Sequence, residues 1–208
     1  MADDVDTLCG KVALIRGERD RITIIEGEVA DSRERGEKCL VGRIGEERRV
    51  NKEAFKIVLT QLWRIVGIVI FKEVQENIWL FEFFDKDDKE HIMARRPWSF
   101  DKQILILNDL DGNAPPSQMQ FTHSPFWVQV HDLPLICMNK TVGKKIEDFL
   151  GSLVEVDVAG DGMGWGHCLQ IRVILDLRNP LERGRAIHLN GKCYWARFKY
   201  EKLPMFCF

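Results

Sequence analysis

The dipeptide Asn190-Gly191 separates two runs of alternating character, residues 185–189 and 192–200. Asn-Gly is the pair that a two-residue type I′ turn selects, because both central residues need positive φ. Such a turn sets the register of everything around it: Leu189 faces Lys192, His188 faces Cys193, Ile187 faces Tyr194 and Ala186 faces Trp195. Opposed residues share a side of the pair. One face therefore carries Ile187, Leu189, Tyr194, Ala196 and Phe198, which is a core face. The other carries His188, Trp195, Arg197 and Lys199, with Cys193 among them. An exposed tryptophan flanked by Arg and Lys is what single-stranded nucleic-acid surfaces use, the cations on phosphate and the ring under a base. The competing reading of the same residues is a solvated edge hairpin, or a Trp195 covered by the N-terminal arm.

Charge supports the search for phosphate at this end. The 208-residue chain has a formal net charge of −2, which excludes a uniformly basic protein. Residues 181–208 nevertheless hold six Lys/Arg against two Asp/Glu, and no other stretch is basic. Arg183, Arg185 and Lys202 therefore join Trp195, Arg197 and Lys199 as candidate nucleic-acid contacts. The loop entering the first long helix, with Arg43, Arg48, Arg49 and Lys52, is a secondary phosphate site in which Arg48 and Arg49 fix phosphates without reading sequence.

The periodicity of the chain divides it further. Residues 1–38 mix charges of both signs with brief apolar runs and read as a loosely ordered arm with room for one short strand or helix. From Cys39 the order is strand (CLVGRI), helix, two strands (GIVIFKEV and NIWLFEFF), short helix, strand (QILILNDL). Asn51 caps the first helix, whose apolar positions Phe55, Val58, Leu59, Leu62, Trp63 and Val66 recur at helical spacing to about Val66. This β-α-β-β-α-β order over residues 39–110 predicts a ferredoxin-like, RNA-recognition-motif-like α+β domain. A linker follows at 111–124, rich in Asp-Gly and Pro-Pro. A second, strand-rich α+β domain covers 125–203, with a helix from Asn139 to a Gly151 stop and the hairpin at its end. Residues 204–208 form a separate hydrophobic tail.

Several features tempt and fail. The third strand is rich in aromatics where RNA-recognition motifs stack bases. Period two puts Trp79, Phe81 and Phe83 on one face and Ile78, Leu80 and Glu82 on the other, so the aromatics belong to the core and the Glu82 face is the open one. The glycine-rich GDGMGWG (160–166) has no helix after it to present phosphate and reads as a flexible turn. No nucleophile, zinc-protease or other catalytic constellation is present. The expectation is a protein that is not an enzyme and takes no small-molecule substrate.

Six cysteines are present (Cys9, Cys39, Cys137, Cys168, Cys193, Cys207), none in a C-x-x-C pair, and the start is acidic rather than signal-like. Reduced thiols in the nucleus or cytoplasm are expected, with no secretion and no membrane partner; the longest apolar stretch is too short to cross a bilayer. The spacing of His167, Cys168, Cys193 and Cys207 leaves a metal site open, but surface and core roles explain these residues better.

The blocks RRPWSFDKQILIL, PFWVQVHDLPL, RVILDLRNPLERG and YEKLPMFCF resemble a family of plant proteins. Its members carry an N-terminal domain of unknown function before a CCHC zinc knuckle, in the first open reading frame of LINE-type retrotransposons and in genes derived from them. The resemblance covers about residues 39–208. It implies an RNA-recognition-motif-like first domain and a non-catalytic role in binding single-stranded RNA or DNA. It also implies that Cys207 matches the first zinc ligand of the knuckle, whose other three ligands are missing. The expectation is a chain truncated at the start of the knuckle, with no cofactor of its own and zinc only in a longer product. The alternative expectation is a protein-interaction scaffold that self-associates as a homo-oligomer through exposed sheet edges or the terminal hydrophobic run.

Overall fold

The computed structural model describes residues 22–45 and 50–203, so Arg48, Arg49 and Cys207 lie outside the described residues. The chain divides between Arg35 and Gly36 into two compact units. Helix α1 (Glu26–Glu37) begins in the first, in the arm that composition reads as loosely ordered with room for one short strand or helix. Its acidic start (Glu26, Glu28) and basic end (Arg35) suit the helix dipole. The Glu28 carboxylate accepts the Ile25 N–H at 2.9 Å, and Arg33 pairs with Glu26 at 3.0 Å. No residue of α1 is buried, so it lacks the apolar stripe by which helices are legible in a sequence.

The second unit is α+β. Its first sheet is built from β1 (Cys39–Ile44), β2 (Val69–Gln75), β3 (Ile78–Phe83), β4 (Trp98–Phe100) and β5 (Gln103–Asp109), in the order β2-β3-β1-β5-β4 with every pair antiparallel. Helices α2 (Lys52–Trp63) and α3 (Lys86–Ala94) fall within it. β4 is absent from the sequence-based order, which therefore becomes β-α-β-β-α-β-β. A two-residue turn at Asp101 and Lys102, both left-handed (φ 46° and 61°), pairs Phe100 with Gln103. Asp-Lys lacks the glycine that would have marked this hairpin.

Asn51 caps α2 as expected, its side chain accepting the N–H groups of Glu53 and Ala54 at 3.1 Å each. The helix stops at Trp63 rather than Val66, because Arg64 takes a left-handed conformation (φ 50°). Its buried stripe is Phe55, Leu59 and Trp63, four residues apart. Val58, Leu62 and Val66 are exposed, a correction to the wider face that spacing predicts. Against that stripe pack Trp79, Phe81 and Phe83, all within 2 % exposure, as the parity of β3 requires. The opposite face is not open as predicted: Met119 and Phe121, from the segment after β5, cover Val41 and Ile78, and Glu82 accepts from Lys72 Nζ at 3.0 Å.

The second sheet contains β6 (His123–His131), β7 (Ser152–Asp157), β8 (Leu169–Asp176), β9 (Gly184–Leu189) and β10 (Lys192–Tyr200), ordered β7-β8-β6-β10-β9 and antiparallel throughout. Helix α4 (Lys140–Leu150), capped by Asn139, covers one face. Its Gly143 permits the approach, since a Cβ there would lie 2.9 Å from Val156 Cγ1. Phe126, Val128, Val130, Ile171, Val173, Ala196 and Phe198 form the core beneath it. Among the described residues the protein is thus two antiparallel five-stranded sheets and four helices.

The sheets meet at the end of α3. Arg172 of β8 donates from Nη2 to the carbonyls of Ala94 and Arg96, and Lys202 donates from Nζ to that of Arg95 at 3.2 Å. Three consecutive carbonyls at a helix C-terminus, where negative partial charge concentrates, are thus met by two cations.

Candidate nucleic-acid interface

The Asn190-Gly191 turn is formed as the dipeptide requires, with φ of 49° and 76°. All four cross-strand pairs derived from it are present, from Lys192↔Leu189 to Trp195↔Ala186. The hairpin joins the sheet through β10, which lies between β9 and β6. Ala196 and Phe198 point into the core, while Trp195, Arg197 and Lys199 point away from α4. The Trp195 ring is 56 % exposed and lies across Gly184, where a Cβ would come within 2.8 Å of its Nε1.

Neighbouring strands add polar groups to that outward face. Lys199 pairs in register with Gln129 of β6, which pairs with Gln170 of β8, and Arg197 pairs with His131. The Glu201 carboxylate ties the glutamines together, accepting from Gln129 Nε2 at 2.7 Å and Gln170 Nε2 at 3.2 Å. Gln129 Oε1 lies 3.1 Å from His131 Nε2. His131 is buried, and its ring meets that of the exposed His167 at 5.3 Å. Burial first, then the charges of Lys199, His167 and Arg197, pushes the His131 pKa down.

The predicted cations separate into distinct roles. Arg197 forms a two-nitrogen pair with Asp132, through Nε and through Nη2 at 3.2 Å. That hydrogen bond holds the Asp132 carboxyl below the usual carboxylate range and raises the guanidinium in turn. Lys199 and Arg183 are exposed and have no ion-pair partner among the described residues. Lys202 is committed to the Arg95 carbonyl and lies 5.5 Å from the Trp98 ring centre, at the junction of the sheets. Arg185 is misplaced by the sequence-based grouping. It opposes Ala196, so parity puts it on the helix side, where it pairs with Glu182 and stacks 4.0 Å over Phe149.

Of the secondary phosphate loop, Lys52 is paired with Glu73. Among the described residues no group of three or more His, Cys, Asp or Glu side chains is placed to share a metal ion, and no helix is long and apolar enough to cross a membrane.

These features define an α+β protein with one polar, tryptophan-bearing sheet face. Residues 32–118 match the model of a domain of unknown function, DUF4283, a domain typical of plant retrotransposon-like proteins. The match takes in the first sheet and leaves the second, with its outward face, outside it. No curated protein matches the chain.

Proposed function

We propose that the protein binds single-stranded nucleic acid, RNA foremost, without catalysis, and derives from the first open reading frame of a plant LINE-type retrotransposon. The observation that carries this reading is the outward row of β10, in which the exposed ring of Trp195 sits beside Arg197 and Lys199. Base stacking on such a ring, with cations on the neighbouring phosphates, needs no sequence readout. The strand order β2-β3-β1-β5, with two intervening helices, supports a ferredoxin-like reading of the first sheet. Its aromatics are buried, so the interface is assigned to the second sheet.

The test is fluorescence anisotropy with a labelled single-stranded RNA at several salt concentrations. Log affinity falls linearly with log salt, by about 0.7 per neutralised phosphate. Trp195→Ala weakens binding by ~1–3 kcal/mol. Unchanged affinity in that variant removes Trp195 from the site, and no binding by the parent protein at low salt defeats the reading altogether.

A second reading, self-association, is favoured by one apolar surface. Ile57, Val58, Leu62, Val66, Ile68 and Phe84 are all exposed around α2 and the start of edge strand β2. Exposed apolar side chains are what association sites use. Light scattering that reports a concentration-dependent oligomer supports it, and a monomer at all concentrations excludes it.

A further inference from the structure

The glycine-rich segment 160–166 is a built platform, not a slack connection. The Met163 N–H donates to the Asp161 carboxylate at 2.9 Å, and the Gly162 N–H donates to the Ala159 carbonyl at 2.8 Å. Two further bonds lash it to the start of α4: Lys140 N–H to Gly162 O at 3.0 Å, and Gly164 N–H to Met138 O at 2.9 Å. Gly164 sits so close to Leu169 that a Cβ would approach its Cδ1 to 2.6 Å. This anchored loop holds Trp165 70 % exposed. A large ring kept in water by a well-bonded backbone gains nothing for folding, since burial is what rewards an aromatic.

Trp165 is also connected to the face already described. Two residues on, His167 meets the ring of His131, and His131 pairs in register with Arg197, two residues from Trp195. The two exposed tryptophans therefore lie at the ends of the series His167, His131 and Arg197, and Lys199 stands two residues beyond Arg197, on the side away from Trp195. The acidic groups in that row are engaged: Asp132 by Arg197, and Glu201 by Gln129 and Gln170. An aromatic at each end, with hydrogen-bond donors between and Lys199 alongside, is an arrangement that can follow a strand carrying stackable bases. Leu135, Ile136 and Met163 are exposed as well and would suit a protein partner, but a protein partner gives no account of Lys199, which has no ion-pair partner among the described residues.

We propose that Trp165 is a second stacking ring, so that the site takes a run of several nucleotides between the glycine-rich loop and the β9–β10 hairpin. The proposal rests on the nucleic-acid reading above and names the extent of that site. The experiment compares the parent, Trp165→Ala, Trp195→Ala and the double variant against labelled oligouridylates of 3 and 12 nucleotides. Circular dichroism confirms that each variant is folded. Trp165→Ala weakens the 12-mer roughly 5- to 100-fold, and the preference of the parent for the 12-mer over the 3-mer shrinks with it. If Trp195→Ala weakens the 12-mer and Trp165→Ala does not, the second ring is refuted while the nucleic-acid reading survives. If the parent binds neither oligomer, both fail. If Trp165→Ala abolishes self-association in light scattering and leaves RNA affinity unchanged, the loop is a protein contact and the proposal is overturned.

Discussion

His131 shows how one side chain inherits its chemistry from its neighbours. Buried, and facing the positive charges of Lys199, His167 and Arg197 with only Asp132 in opposition, it titrates below its ordinary 6.5. The fold then prefers the neutral ring, so the unfolded chain holds the extra proton in the window below 6.5. Stability consequently rises with pH through that window and is level above it. The stability difference between the parent and His131→Asn, from urea unfolding at pH 5 and pH 8, is expected to be larger at pH 8. Parallel behaviour at the two values would show that His131 is not depressed. In the sequence this histidine ends a strand and nothing more, because its cationic neighbours come from another strand and a distant loop.

At the scale of elements, local signals were the most readable. Asn51, Asp85 and Asn139 all cap helices, and each accepts a backbone N–H within its own first turn. Asn51→Ala removes two such bonds and should cost about 1 kcal/mol, measured as a lower urea midpoint with an unchanged slope; no change would mean that solvent serves the first turn equally well. Strand parity was equally legible, and it separated the buried Trp79, Phe81 and Phe83 from the exposed Trp195. What escaped was an element without a pattern. Helix α1 buries no residue, β4 is three residues long, and its turn uses Asp101-Lys102 without a glycine. The glycine-rich segment was underread for a related reason: its order comes from bonds to the Met138–Lys140 backbone, which composition does not report.

For the whole molecule, the contacts between sheets matter most. Arg172→Met keeps the aliphatic stem and removes the donors to Ala94 and Arg96. Bonds from a charged donor are worth ~1.5–3 kcal/mol, so this variant is expected to unfold at lower urea and to expose the 94–96 turn to hydrogen exchange before the sheets melt. Exchange there as slow as in the parent would show that Arg172 does not hold the junction. Lys202 belongs to the same junction, which is why its place in a basic segment misrepresents it as a free cation. Caps, turn register and the alternation of faces follow from the chain alone, since they depend on neighbours within a few residues or on one turn. Which cations remain available does not, because Arg197 and Lys202 are claimed by Asp132 and the Arg95 carbonyl. Asp132 and Arg95 reach their partners across 65 and 107 residues of chain. Pairing over such separations is set by the neighbouring of β6 and β10 for the first and by the packing of the two sheets for the second, and no local pattern of charge encodes it.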